Sequence, residues 1–306
     1  MTLWRRIAGP DRLAIVALIA FAVLVIAWNI FEGIQLEPSL LTMLVPAAGF
    51  SALTCFYLIK RPAERKIVEF LLYVSLWQAF PLFAVLLTYL SNTWDFPLRD
   101  IVFSRWDAAM GFDWAAWARF QHTIPGLVPA QDIVYQFHYL LIFASIVLLA
   151  IAGGKPRNAQ LFISMAIGVT VSAIISGLVP AYSPVKANHI AAAWPAITEA
   201  LRDGARGPFP FVGIVTFPSF HAAMATMLIL AHTDQFWRLS VFGVLNVAMV
   251  FSIPSAGGHY LIDVPAGIAI GVICWFAAQG LVETPRATSA QEISLTPAQR
   301  TLSRTR

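Results

Sequence analysis

Two short segments of the sequence place a histidine beside groups that could handle a phosphate. The first is Thr216-Phe-Pro-Ser-Phe-His221. Its Ser219, directly after a proline, is typical of a helix N-cap, so His221 is predicted to lie in the first turn of a helix. Free backbone N–H groups and the helix dipole at such a start attract phosphate, which makes Ser219 a candidate substrate-binding residue. A histidine there can protonate the leaving oxygen of a phosphate ester. A structural histidine at a helix end is the alternative.

The second segment is Gly257-Gly-His259-Tyr-Leu-Ile-Asp263. In a helix, His259 and Asp263 would be i,i+4 neighbours on one face. The carboxylate could then accept the proton of one imidazole nitrogen and leave the other nitrogen free to attack phosphorus. The two glycines would let the backbone approach a ligand closely. A structural His–Asp pair that fixes a helix entry is the alternative.

The composition indicates what must position these residues. Of the 306 residues, 58% are hydrophobic and only 12% are charged, whereas soluble domains carry about 25% charged residues. The mean hydropathy is +0.72. We therefore expect an all-α, polytopic membrane protein. The net charge of +4 is small and scattered, which fits cationic loops at a membrane surface and argues against a nucleic-acid partner.

A bilayer-spanning helix needs roughly 20 apolar residues, and the sequence predicts about eight of them. They are 12–31, 40–59, 67–90, 133–152, 160–179, 217–232, 238–254 and 261–281. The tryptophan-rich stretch Arg105–Phe120 is predicted to form a helix in the membrane interface.

The basic residues predict the orientation of the bundle. The short loops Lys60–Lys66 and Lys155–Arg157 carry positive charge, whereas Glu32–Ser39 and Pro254–Tyr260 carry none. By the positive-inside rule, both chain ends are cytoplasmic. This topology places His221 and the His259–Asp263 pair at the same outer face, where they could meet around one phosphate.

The two histidine segments together resemble the type 2 phosphatidic acid phosphatase superfamily. Within it, they look most like the inositolphosphotransferase-like branch, which includes inositol phosphorylceramide synthase; sphingomyelin synthases are more distant relatives. The resemblance covers roughly residues 60–281 and implies there a lipid phosphatase/phosphotransferase-like domain with a six-helix core. Hydropathy predicts N-terminal transmembrane helices at 1–59, and the polar composition of 282–306 predicts a flexible cytoplasmic tail.

The resemblance also implies a mechanism. His259 would be the nucleophile that forms a phosphohistidine, Asp263 would orient it, and His221 would be the general acid. Water or a lipid hydroxyl would then take the phosphoryl group, and the chemistry requires neither a metal nor another cofactor.

The leading hypothesis is transfer of a phosphorylated head group, such as phosphoinositol, to a lipid acceptor. The alternative is a phosphatase that hydrolyses phosphatidic acid or isoprenyl phosphates. A transporter is more distant, because the polar groups cluster at one face and no inverted repeat is evident. The substrates are expected to be lipid phosphates or phospholipids in the bilayer, in a bacterial inner membrane with the active site on the periplasmic face.

The sequence also departs from the superfamily pattern. Pro254 stands where the superfamily has an arginine, five residues before the nucleophile, and Pro-Ser-Phe-His replaces Pro-Ser-Gly-His. Because Arg or Lys usually clamps a transferring phosphoryl group, Lys186 and Arg202 of the adjoining outer loop are predicted to bind phosphate. Solvated loop charges are the alternative for both.

Two weaker likenesses lie upstream of the histidine segments. Tyr135-Gln-Phe-His138 looks like the Tyr-x-x-His of the branch, so His138 is a further candidate for substrate binding. Asp107-Ala-Ala-Met-Gly111 looks like its interfacial Asp–Gly segment. Ordinary packing is an open alternative for each.

Overall fold

The computed structural model describes residues 3–153, 156–188 and 192–283. In chain order, its helices are α1 Leu3–Arg6, α2 Gly9–Glu32, α3 Leu44–Lys60, α4 Arg65–Ser91, α5 Asp100–Ala109, α6 Trp114–His122, α7 Leu127–Ala152, α8 Arg157–Leu178, α9 Pro184–Ala187, α10 Ala193–Arg202, α11 Phe220–Ala231, α12 Phe236–Ala256 and α13 Asp263–Glu283, with a 3₁₀ helix at Pro38–Met43. The described ranges contain no β-strand, and Leu36 and Phe209 form an isolated parallel bridge. The predicted tail from 284 onward lies outside the described residues.

Within the described ranges, seven helices are long and apolar enough to cross a bilayer, which confirms the polytopic all-α bundle. They are α2, the 3₁₀ helix with α3, and α4, α7, α8, α12 and α13. The predicted span 217–232 is instead the 12-residue helix α11, which is about 18 Å long at 1.5 Å per residue. It is apolar and mostly buried, so it lies inside the bundle and does not face lipid along its length.

The short helix α11 still continues the up-and-down order of the bundle. At its C-terminal end, Arg157 Nη1 donates hydrogen bonds to the carbonyl oxygens of Leu230 and Ala231, at 3.0 and 3.3 Å. A cation at this position satisfies helix carbonyls that have no partner in the helix. Arg157 begins α8, so the end of α11 lies at the same face as the α7–α8 turn, opposite the histidine segments.

Glycines on α13 allow this helix to pack closely against α11. A Cβ atom at Gly271 would lie 2.6 Å from the carbonyl oxygen of Ala223, and one at Gly267 would meet the backbone of Ser219. Small residues four positions apart are the usual means by which membrane helices approach closely. The backbone N–H of Ser219 also donates to the carbonyl oxygen of Asp263 at 3.0 Å. The two histidine segments are therefore joined directly.

The predicted interfacial helix Arg105–Phe120 is wrong as a single helix, because α5 ends at Ala109 and α6 begins at Trp114. Gly111 adopts φ +78° between them, a left-handed conformation that glycine takes without steric cost. The side chain of Asp113 then caps α6 by accepting the N–H of Ala116 at 3.0 Å. The break turns the two short helices independently toward the bundle.

The predicted N-terminal segment, described from residue 3 to residue 59, packs into the same bundle. Helix α2 contacts α4 and α8, and α3 runs along α4. Beyond α2, Gln35 N donates to Arg206 O at 2.7 Å, and Arg206 pairs with Glu32 at 3.6 Å. These bonds tie the end of the first span to the loop that precedes α11. The boundary at residue 59 stays a prediction.

We expect Gly271→Ala to destabilise the protein, because its Cβ would force α11 and α13 apart. Overpacking of this kind costs about 1–3 kcal/mol. The matched control is Gly243→Ala on α12, where a Cβ meets open space and alanine improves helix propensity. Thermal unfolding midpoints in one detergent should be lower for Gly271→Ala than for wild type, and not for Gly243→Ala. Equal midpoints for the two variants would contradict the close approach.

Candidate active site

A cavity of about 640 Å³ lies at the end of the bundle where the two histidine segments meet. His221 and His259 both line it, together with Tyr135 and His138 from α7. Apolar side chains from α4 and α7 form most of the remaining wall; they include Val74, Trp77, Phe80, Val85, Ile142, Phe143 and Ile146. The polar groups are thus confined mainly to the outer end, and an apolar cleft continues from them toward the middle of the bundle.

His259 is held by the carboxylate that the sequence pairs with it. Its Nδ1 lies 3.0 Å from Asp263 Oδ2, and the same oxygen accepts the backbone N–H of Tyr260 at 3.0 Å. A carboxylate can only accept, so Nδ1 of His259 carries the proton and Nε2 presents a lone pair. His259 lines the cavity, whereas Asp263 is fully buried behind it. This arrangement leaves an unprotonated nitrogen on a side chain that lines the cavity.

The predicted helical spacing of His259 and Asp263 is wrong, although the two side chains do meet. Helix α13 begins only at Asp263, and the four residues before it form a turn. Gly258 has φ +59° there, and a Cβ on it would lie 2.7 Å from the Trp194 ring. The absence of a side chain at Gly258 therefore lets the Trp194 ring pack against the backbone, which also lines the cavity.

His221 lies in the first turn of α11, as predicted. Ser219 is the N-cap, with its hydroxyl accepting the N–H of Ala222 at 3.4 Å. The Nδ1 of His221 lies 2.7 Å from the Tyr135 hydroxyl. One turn further along α7, His138 Nδ1 lies 2.8 Å from the Tyr135 carbonyl oxygen, and the two imidazole rings are 5.1 Å apart between centroids. Tyr135 thus holds both rings at the cavity.

Two aspartates on α5 hold the turn that carries His259. Asp107 accepts the backbone N–H groups of Leu261 and Ile262 at 2.9 and 3.0 Å. Asp100 accepts the Tyr260 hydroxyl at 2.9 Å, and also the N–H groups of Tyr182 and Ser183. The turn is therefore fixed from outside by carboxylates, which explains why it does not continue as helix.

Burial shifts the pKa values of the residues that hold this turn. It raises the pKa of Asp107, although the two N–H groups that the carboxylate accepts lower it. Burial and the neighbouring Asp100 carboxylate also raise the pKa of the Tyr260 hydroxyl well above its usual value, so Tyr260 stays a hydrogen-bond donor. Sequence reasoning noted Asp107 only through the resemblance and missed Asp100, whose position at a helix start is unremarkable for an aspartate.

Helix α6 fixes the other side of the same turn. Trp114 Nε1 donates to the carbonyl oxygen of Pro254 at 2.9 Å. Trp117 Nε1 and Gln121 Nε2 both donate to the Ser255 hydroxyl, at 3.0 and 2.6 Å. These tryptophans were predicted only as residues of the membrane interface. Their indole groups also determine where α12 ends and the His259 turn begins.

The PAP2 superfamily model matches residues 102–277, which is more than half of the chain. The chain belongs to the PAP2 superfamily. It is accordingly an enzyme of the lipid phosphatase/phosphotransferase type. Searches of curated proteins and of solved structures found no match.

The PAP2 match includes both histidine segments, α6 and α5 from residue 102 onward, so Asp107 lies inside the matched range and Asp100 just before it. It begins at residue 102, whereas the resemblance in the sequence was expected to begin near residue 60. Helix α4, which forms much of the apolar wall of the cavity, therefore lies outside the matched range.

The predicted phosphate-binding cations are engaged elsewhere in this PAP2 protein. Lys186 Nζ pairs with Glu199 at 2.8 Å and lies over the Tyr182 ring. Arg202 pairs with Asp95 at 3.0 Å and donates to the Trp94 carbonyl oxygen. Neither is among the described residues that line the cavity, and those residues include no lysine or arginine. The structure does not bring Lys186 or Arg202 to the histidines, and their role in substrate binding stays a prediction.

We expect Asp107→Asn to lower kcat about 100-fold, because an amide oxygen replaces a carboxylate that accepts two N–H groups of the His259 turn. Displacing a reacting group by about 1 Å can cost that much. Asp132→Asn is the matched control, since Asp132 is exposed on α7. Initial rates with saturating lipid substrate would test this prediction. Equal kcat values for the two variants would show that the turn does not need the carboxylate.

Proposed function

We propose that this PAP2 enzyme is a lipid phosphotransferase that works through a phosphohistidine on His259. It would move a phosphorylated head group, such as phosphoinositol, from a phospholipid to the hydroxyl of a lipid acceptor. The proposal follows the inositolphosphotransferase-like branch of the superfamily. The outer end of the bundle would face the periplasm of a bacterial inner membrane.

In the first half-reaction, the lone pair of His259 Nε2 attacks phosphorus. The P–O bond to the lipid alcohol breaks, and His221 donates its proton to the leaving oxygen. His221 enters this step as an imidazolium: its Nδ1–H donates to the Tyr135 hydroxyl oxygen, and its Nε2–H goes to the leaving oxygen, so that the ring ends the step neutral. Asp263 stabilises the positive charge that develops on His259. The geometry of the His259–Asp263 and His221–Tyr135 pairs supports these roles.

One observation favours head-group transfer over phosphatase action: none of the described residues that line the cavity is a lysine or an arginine. A phosphomonoester carries about −1.5 to −2 charges at neutral pH, whereas a phosphodiester carries one. Each uncompensated charge in an apolar site is costly. The site therefore suits a monoanionic phosphodiester, which is the donor in head-group transfer.

The apolar cleft supports a lipid substrate. Its walls come from α4, α7 and the segment before α11, and they run inward from the histidines. A phosphate held at His259 would leave its hydrocarbon chain in this cleft, where burial of each CH₂ group contributes about 0.8 kcal/mol.

An assay with two donors tests the proposed function. Purified protein is given phosphatidylinositol or phosphatidic acid, each with and without ceramide or diacylglycerol. We expect a phosphoinositol-bearing product that depends on the acceptor, and turnover of phosphatidic acid at least tenfold slower. Release of inorganic phosphate from phosphatidic acid as the main reaction, with no acceptor dependence, would assign the enzyme to the phosphatases.

A covalent intermediate tests the role of His259. After brief reaction with head-group-labelled phosphatidylinositol and no acceptor, we expect an acid-labile, base-stable label on wild-type protein. His259→Gln should abolish the label, and Asp263→Asn should slow its formation at least tenfold. The control, His122→Gln, changes an exposed histidine on α6 and should keep the label. Labelling of His259→Gln at the wild-type level would exclude His259 as the nucleophile.

A further inference from the structure

His138 is a third imidazole at the cavity, and the phosphohistidine chemistry of His259 and His221 does not use it. It is 8% exposed, and it lies against the rings of both His221 and Tyr139. Its Nδ1 is bound to the Tyr135 carbonyl oxygen. Nδ1 makes the one hydrogen bond of this ring to a described residue, and the side chain lines the cavity.

The hydrogen-bond partner of His138 Nδ1 determines whether Nε2 carries a proton or a lone pair. A carbonyl oxygen only accepts hydrogen bonds, so Nδ1 of His138 carries the ring proton. In the neutral ring, Nε2 then presents a lone pair. A buried imidazole with a free lone pair beside a reacting phosphate is a general base by type and position.

The depth of His138 indicates which hydroxyl it would serve. Helix α7 runs inward from the outer end, and His138 lies three residues beyond Tyr135, which is about 4.5 Å deeper. The cavity wall on that side continues through Ile142, Phe143 and Ile146. A hydroxyl that reaches His138 along this wall comes from the bilayer side, so it belongs to a lipid alcohol.

We propose that His138 is the general base that activates the lipid acceptor in the second half-reaction. This inference rests on the proposed function. The acceptor hydroxyl donates to His138 Nε2, and its oxygen attacks the phosphorus held on His259. As the new P–O bond forms, the P–N bond breaks and its electron pair returns to His259 Nε2. The hydroxyl proton moves to His138.

The proton balance explains why the two other imidazoles lie together. His221 loses a proton to the leaving lipid alcohol in the first half-reaction, and His138 gains one from the acceptor in the second. Return of that proton from His138 to His221 restores both rings for the next cycle. The 5.1 Å between their ring centroids, and their shared contact with Tyr135, suit this return.

The test measures how the labelled phosphoenzyme divides between transfer and hydrolysis. Wild type, His138→Gln and His138→Ala are charged with head-group-labelled phosphatidylinositol and then given ceramide vesicles in water. Glutamine keeps a hydrogen-bonding group near the position of Nε2 but cannot take a proton. We expect its ratio of transfer to hydrolysis to fall about 100-fold, the size of a general-base contribution. His122→Gln is the control for the same substitution outside the cavity.

Rescue separates a base from a residue that only binds the acceptor. In His138→Ala, added imidazole should restore transfer at least tenfold, since the vacated space admits a ring of the same size. Three results would overturn the proposal. These are a ratio within threefold of wild type in His138→Gln, a transfer defect in His138→Ala that imidazole does not repair, and equal losses of transfer and hydrolysis in both variants.

The outcome is distinct from failure of the proposed function. Wild-type protein that forms no phosphohistidine, or that releases only water-soluble phosphate when ceramide is present, would overturn head-group transfer itself and this inference with it. Wild-type transfer to ceramide combined with an unchanged ratio in His138→Gln would overturn the role of His138 alone.

Discussion

The geometry of the site depends on how closely the backbones of α11 and α13 approach. Ser219 is at once the N-cap of α11 and the donor of an N–H to the carbonyl oxygen of Asp263. That bond forms only because Gly267 and Gly271 have no side chain between the helices. In a low-dielectric interior, such a hydrogen bond is strong and its loss is costly. Ser219, which starts the helix of His221, therefore fixes the backbone of Asp263, whose carboxylate binds His259.

The charged side chains around the site bind backbone groups or one another, and this limits the charge of a ligand that the cavity can hold. Asp100, Asp107 and Asp263 all accept N–H or O–H groups of the 182–183 or 259–262 segments. Lys186 and Arg202, which could have balanced a phosphate, are paired with Glu199 and Asp95. Among the described residues, carboxylates thus lie behind the His259 ring, and no lysine or arginine lines the cavity in front of it. A second negative charge on a substrate would meet neither of these side chains there.

The sequence predicts local features of this protein well and long-range pairings poorly. The helix start at Ser219 and the contact of His259 with Asp263 depend on residues within four positions, so a single segment reveals them. The conformation of the 259–262 turn depends on Asp107, which is more than 150 positions away. The pairing of Arg202 with Asp95 likewise joins residues 107 positions apart. Hydropathy predicts about eight spans, and seven long helices are found among the described residues, because length and apolarity suffice to recognise them. The predicted span 217–232 is the short helix α11, which is buried among other helices and needs no full span.

The proposed catalytic residues and the apolar wall of the cleft differ in how clearly the sequence reveals them. The histidines and their supporting aspartate Asp107 lie within the matched range 102–277. Much of the cleft wall comes from α4, which precedes that range. A nucleophile requires one residue type at one position, so it leaves a motif. A wall for hydrocarbon requires only apolar volume, which any helix buried in a membrane already has. The family motif can therefore define the reaction, while the shape that α4 gives the cleft determines which lipid chain fits it.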